Sequence, residues 1–119
     1  MATEQDVEAF LKDFKIKLSI FSILFRNDRT KNTQALLDLE ISQLERKSII
    51  EKLESIDFSE GPIKDQLYQI SDMWIFGKKV KGKEVYIKIS MGLPNSTVIC
   101  ISFHIAEASM KYPFKKGRI

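Results

Sequence analysis

Apolar and polar residues recur with two different periods along this chain, and the change of period divides it. The first half is mostly helical in rhythm. Val7, Phe10, Leu11 and Phe14 lie three or four apart behind Thr3, whose hydroxyl can accept from the free N–H groups of a helix start, so a helix is predicted over residues 3–13. From Lys15 to Phe25 the text alternates, with Ile16, Leu18 and Ile20 on one side and Lys17 and Ser19 on the other. That reads as a strand, bulged near Phe21 where the alternation slips. A polar loop over Asn27 to Asn32 and a short helix over Thr33 to Leu39 follow. Ser42 with Glu45 three residues on is a capping-box pattern, and Leu44, Ile49, Ile50 and Leu53 form a stripe, predicting a helix over 43–54. The segment FSEGP then predicts a turn, because the residue before Pro62 is driven out of the helical region.

From Met73 onward the period is two. WIFGKKV and EVYIKIS flank Lys81-Gly82, which reads as a hairpin turn, and TVICISF follows the loop GLPNS. Residues 110–119 form a basic tail that Tyr112 and Phe114 can anchor. Helices first and a meander of strands second predict an α+β fold. It is one domain over residues 1–119, an antiparallel sheet with two or three helices packed on it.

Strand parity then says which side chains share a surface. In the middle strand Val85, Ile87, Ile89 and Met91 are apolar, and Glu84, Tyr86, Lys88 and Ser90 face the other way. In the last strand Thr97, Ile99, Ile101 and Phe103 read as the apolar face, opposite Val98, Cys100, Ser102 and His104. With the apolar faces sharing one core, Tyr86, Lys88, Ser102 and His104 line the opposite surface, and His104 lies near the Glu84–Tyr86 end. The first hairpin has two readings. A two-residue turn puts Lys79 on the Tyr86 face, and a three-residue turn puts Trp74, Phe76 and Lys78 there.

Charge sharpens this picture. Residues 1–60 hold nine Lys and Arg against twelve Asp and Glu, whereas residues 61–119 hold ten against four, so the net +3 conceals an acidic half and a basic half. A local positive field of this kind suits a phosphate backbone, although lysines at a sheet edge also keep it from self-pairing. The single Cys100 excludes an intrachain disulfide and reads as a small buried hydrophobe. No apolar run is long enough to span a bilayer and MATEQDVEAF is not a signal sequence, so the expected location is cytoplasmic, with no membrane partner.

The chemistry on offer is narrow. One His and one Cys do not suggest a zinc site, and there is no Gly-rich phosphate loop, GxSxG elbow or CxxC, so neither a metal nor another cofactor is expected. Metal-free RNA cleavage needs only a group that takes the ribose 2′-hydroxyl proton, a group that protonates the leaving 5′-oxygen, and cations at the phosphate. Imidazole suits proton transfer near neutral pH, Lys supplies a point charge, and Tyr can donate or stack.

The order Leu53…Asp57-Phe58, Gly82…Val85-Tyr86-Ile87-Lys88-Ile89 and Ser102-Phe103 resembles the MqsR family of toxin–antitoxin mRNA interferases, over most of residues 5–105. The resemblance implies a RelE-like single domain, sequence-selective messenger RNA cleavage without a metal, and inhibition by a cognate antitoxin protein. Tyr86 matches a position tied to activity, and Lys88 a basic position in the same motif. Better-known members carry Lys where this chain has His104 and Glu60, and Trp74 stands in the neighbourhood of a family Gln. The resulting expectation is an endoribonuclease with His104, Tyr86 and Lys88 as catalytic groups and Lys78, Lys79, Lys81, Lys83 and Trp74 as RNA contacts. The competing reading is a non-catalytic RNA- or protein-binding module of the same fold.

Overall fold

Thr3 opens the first helix as its hydroxyl predicts: it accepts from the Asp6 N–H at 3.1 Å while the Asp6 carboxylate accepts from the Thr3 N–H at 2.9 Å. This computed structural model describes residues 2–66 and 69–115, and the last four residues of the basic tail, 116–119, lie outside the described residues. The elements are α1 (Glu4–Phe21), β1 (Ile23–Phe25), α2 (Thr30–Leu39), α3 (Gln43–Glu51), a 3-10 turn (Ser55–Asp57), β2 (Phe58–Ile63), β3 (Met73–Val80), β4 (Lys83–Ser90) and β5 (Val98–Ile105). One five-stranded sheet has the order β1-β5-β4-β3-β2, antiparallel throughout except where β1 runs parallel to β5. The class is α+β, as the pattern predicts, with the parallel edge strand as a departure from a pure antiparallel sheet. No helix of the described residues is long and apolar enough to cross a membrane.

Four predicted elements are corrected. The stretch from Lys15 to Phe21 is not a strand but the continuation of α1. Burial there follows a period near four, with Phe14 and Leu18 inside, whereas Ile16 and Ile20 of the apparent alternation are 51% and 66% exposed. Only Ile23–Phe25 pairs as strand. The segment FSEGP is not a turn but part of the edge strand β2, which accommodates Pro62 through irregular pairing with β3. Finally, α2 starts at Thr30 inside the predicted loop, and α3 ends at Glu51 and turns Leu44 outward, 80% exposed, while Arg46 is buried. The Arg46 guanidinium lies 3.7 Å above the Phe25 ring and donates to Asn27 Oδ1, which gives the buried cation an aromatic face and an acceptor.

The hairpin ambiguity resolves in favour of the two-residue turn. Lys81 (φ 51°) and Gly82 (φ 82°) both take left-handed conformations, as a tight turn between twisted strands requires. Gly77 therefore faces Tyr86 and Lys79 faces Glu84, while Trp74, Phe76, Lys78 and Val80 lie on the helix-covered side. Phe10 of α1 stacks on Trp74 at 4.4 Å between ring centroids and lies 6.3 Å from Phe76, joining the first helix to the sheet through aromatic contact.

The β5 parity changes partway. Lys88 pairs with Ser102 but the next residue, Ile89, pairs with Cys100, so Ile101 is the extra residue of a bulge. The predicted apolar set Thr97, Ile99, Ile101 and Phe103 is therefore corrected: Val98, Cys100 and Phe103 are buried in the core, whereas Ile99 and Ile101 are only half-buried. Burial pushes the Cys100 thiol up to about 12, the behaviour of an inert core side chain.

A bulge leaves backbone groups without ladder partners, and Asn32 of α2 takes them. Its buried amide donates to the Ile101 and Arg26 carbonyls at 2.9 and 3.0 Å, and its oxygen accepts from Phe103 N–H at 3.0 Å. Replacing Asn32 by Leu keeps the volume but strands these groups. A loss of about 2–3 kcal/mol of stability is expected, read as a lower urea midpoint at unchanged slope.

Candidate functional site

The sheet face turned away from the helices carries an open groove of about 710 Å³. Its floor comes from adjacent strands by register alone: Ile75 on β3, Tyr86 and Lys88 on β4, Ser102 and His104 on β5. Tyr86 pairs with His104 and Lys88 with Ser102, so the three side chains named from parity emerge together. The Tyr86 and His104 rings stack at 5.2 Å with 14° between planes, and Lys88 Nζ lies 6.0 Å from the Tyr86 ring centroid.

Each polar group has a defined setting. His104 Nδ1 is 3.0 Å from the Ile105 carbonyl, which can only accept, so Nδ1 carries the proton and a neutral ring keeps its lone pair on Nε2. Burial, and then the Glu60 carboxylate, raise the Tyr86 phenol above its ordinary value and keep it a donor. Burial, and then the Arg29 guanidinium, lower the Lys88 ammonium, with Glu60 acting in the opposite sense.

Arg29 is the residue that sequence reasoning missed. It stands just before α2, reaches over the end of the bulge, and donates from one guanidinium nitrogen to the Ile101 carbonyl and Ser102 Oγ, both at 3.3 Å. Its position depends on Asn32 docking α2 onto β5, a contact between residues 69 and 71 positions apart in the chain, which no local pattern signals. Lys31 and Lys111 add further cations to the rim, and Glu107, ion-paired to Lys31, adds an acid beside them.

The lysine cluster does not gather here. Lys78 lies on the other face and pairs with the buried Asp57 carboxylate at 3.1 Å. Lys81 donates to the Glu40 carbonyl at 2.7 Å. Lys83 pairs with Val80 at the turn, and Lys79, on the groove side of the sheet, sits opposite Glu84 at its end. Trp74 stacks on Phe10 and belongs to the packing between α1 and the sheet. None of these five lines the groove, so its cations are Arg29, Lys31, Lys88 and Lys111 instead. Among the described residues no group of His, Cys, Asp and Glu side chains is arranged to hold a metal ion.

The chain itself builds the remaining wall. After β5, the Ala106 N–H donates to the Glu84 carbonyl at 2.9 Å, and residues 107–111 run along the groove. Tyr112 then crosses the sheet above Gly77 and donates to Glu84 Oε2 at 2.6 Å, and Phe114 stacks on Phe58 at 5.4 Å. Burial and Glu84 push the Tyr112 phenol upward, so it stays a donor. Gly77 is required by this crossing: a Cβ there would meet Tyr112 Oη at 2.2 Å and Met110 Sδ at 2.9 Å.

Gly77→Val leaves the strand pairing intact but lifts this segment, and Tyr112→Phe removes its hydrogen bond. Both changes are expected to raise trypsin cleavage after Lys111 roughly tenfold without a change in far-UV circular dichroism. Compared with known protein families, curated proteins and solved structures, the chain matches none.

Proposed function

We propose that this protein is a toxin-type endoribonuclease of the MqsR kind that cuts messenger RNA without a metal, by attack of a ribose 2′-hydroxyl on the adjacent phosphate. The observation that carries the reading is the joint presence of Tyr86, Lys88, His104 and Arg29 in one open, cation-rimmed groove. In the proposed reaction His104 Nε2 takes the 2′-hydroxyl proton, the 2′-oxygen bonds to phosphorus, and the bond to the 5′-oxygen breaks as that oxygen receives a proton from solvent water, with the imidazolium returning its proton to the solvent afterwards. The products are a 2′,3′-cyclic phosphate and a 5′-hydroxyl. Lys88 and Arg29 stand where charge grows on the phosphate oxygens, and Tyr86 donates to the phosphate or contacts a base. A cytoplasmic protein held in check by a cognate antitoxin is part of the same proposal.

Purified protein incubated with mixed RNA oligonucleotides in EDTA tests it. Cyclic-phosphate ends are expected, with cleavage reduced roughly a hundredfold or more in His104→Ala. Equal cleavage by both proteins removes the imidazole from the mechanism, and RNA binding with no cleavage by either favours a binding module. Cleavage and binding should weaken as salt rises, because the groove cations release counterions from the backbone.

Lys88→Met separates function from stability. Because burial and Arg29 depress the lysine, its charged form costs folding stability below its folded pKa, a cost relieved as pH rises through that value. Neutralising the side chain should therefore leave the thermal midpoint at neutral pH unchanged or higher, while cleavage falls roughly a hundredfold.

A further inference from the structure

A second cavity, of about 600 Å³, continues the groove along the same face. Lys88 and Arg29 line both, so the two spaces meet at the cations proposed to hold the phosphate. The character of the surface changes across that meeting point. On one side lie Tyr86, Ser102 and His104, and on the other Ile63, Met73, Ile99 and Ile101.

These four apolar side chains are half-buried and line the cavity, and register puts Ile63, Met73 and Ile99 on the open face. Ile63 pairs with Met73, Met73 with Ser90, and Ser90 with Ile99. Unbulged, β5 would keep Ile99 and Ile101 on one side with Phe103. The extra residue turns Ile99 outward and lets Cys100 take its place in the core. Polar groups stand at the rim, among them the Gln66 side chain, whose amide both donates and accepts.

An apolar floor with a polar rim, one step from a pair of cations, is the chemistry of a nucleobase attached to a phosphate. The volume suits a small ligand of that size. We infer that this cavity is a nucleobase subsite: it takes the base next to the scissile phosphate, with Ile99 and Met73 against its face and Gln66 reading its edge. This rests on the ribonuclease reading for the word scissile, but binding of the base itself does not require cleavage.

The test has a binding arm and a cleavage arm. In EDTA, titration of the four nucleoside 3′-monophosphates and of inorganic phosphate is followed by calorimetry, for wild type, Ile99→Ser and the exposed-site variant Gln66→Ala. At least one nucleotide should bind about tenfold or more tighter than phosphate, and both variants should lose most of that margin while keeping their phosphate affinity. Circular dichroism checks folding, and Gln66→Ala carries the test if Ile99→Ser does not fold.

Nucleotides and phosphate binding alike, or folded variants with the wild-type preference, would overturn the inference. So would a change of oligomeric state in Ile99→Ser with nucleotide binding intact, which makes the patch a contact between copies. In the cleavage arm, sequencing of cut ends should show relaxed base preference at one position beside the cut. Cutting with unchanged preference sinks the subsite and leaves the nuclease standing. Nucleotide binding without any cutting sinks the nuclease and leaves the subsite standing.

Discussion

One extra residue in β5, Ile101, decides what each face of the sheet presents. Side chains along a strand alternate without exception, so a single insertion exchanges faces for everything beyond it. On the β4-pairing register before the bulge, Phe103 is core and Ser102 and His104 are on the groove side. Past it, Cys100 and Val98 are core and Ile99 is outside. The irregularity is stable only because Asn32 behaves like a short piece of strand, with an acceptor for Phe103 and donors for Ile101 and Arg26. The same contact docks the start of α2 beside β5 and delivers Arg29 to the groove. Fold stability and site assembly thus share one buried amide.

The segment after β5 completes the site with little apolar burial of its own. Its hold on the sheet and on α2 includes hydrogen bonds from Ala106, Met110 and Tyr112 to Glu84, an ion pair of Glu107 with Lys31, and a ring stack of Phe114 on Phe58, with the bare backbone of Gly77 beneath. Such an attachment belongs to the low end of local stability in a domain, far below that of the β3–β4–β5 core. A wall of this kind can be displaced without unfolding the rest, which makes access to the groove separable from the integrity of the sheet.

Much of this was legible from residue order, and the parts that were not share a cause. Capping at Thr3 and Ser42, the Lys81-Gly82 hairpin and the gathering of Tyr86, Lys88 and His104 depend on local signals or on parity near the turn. The error over Lys15–Phe21 came from a stretch where Ile16, Leu18 and Ile20 fit a two-residue period as well as a helical one; tertiary contact of Phe14 and Leu18 decided between them. The β2 segment read as a turn because the residue before Pro62 is driven out of the helical region, but an edge strand meets that constraint as well as a turn does. Arg29, Asn32 and the bulge were invisible because they depend on contacts about seventy residues apart. The Lys78, Lys81 and Lys83 positions were misplaced for a different reason: clustering in sequence says nothing about face once a tight turn fixes the register.

The groove also carries an electrostatic cost. Lys88 and Arg29 bring like charge together on a half-buried surface, and burial alone already disfavours the lysine's charged form. Glu60, on the edge strand β2 beyond β3, relieves part of this while raising the Tyr86 phenol. Two carboxylates, Glu60 and Glu107, against Arg29, Lys31, Lys88 and Lys111 leave the groove lining with net positive charge. In the proposed reaction an arriving phosphate diester would supply negative charge, and more of it would accumulate on the equatorial oxygens as a pentacoordinate transition state forms. On that proposal, cations held together in the empty fold would favour the charge distribution of the transition state over that of the bound substrate.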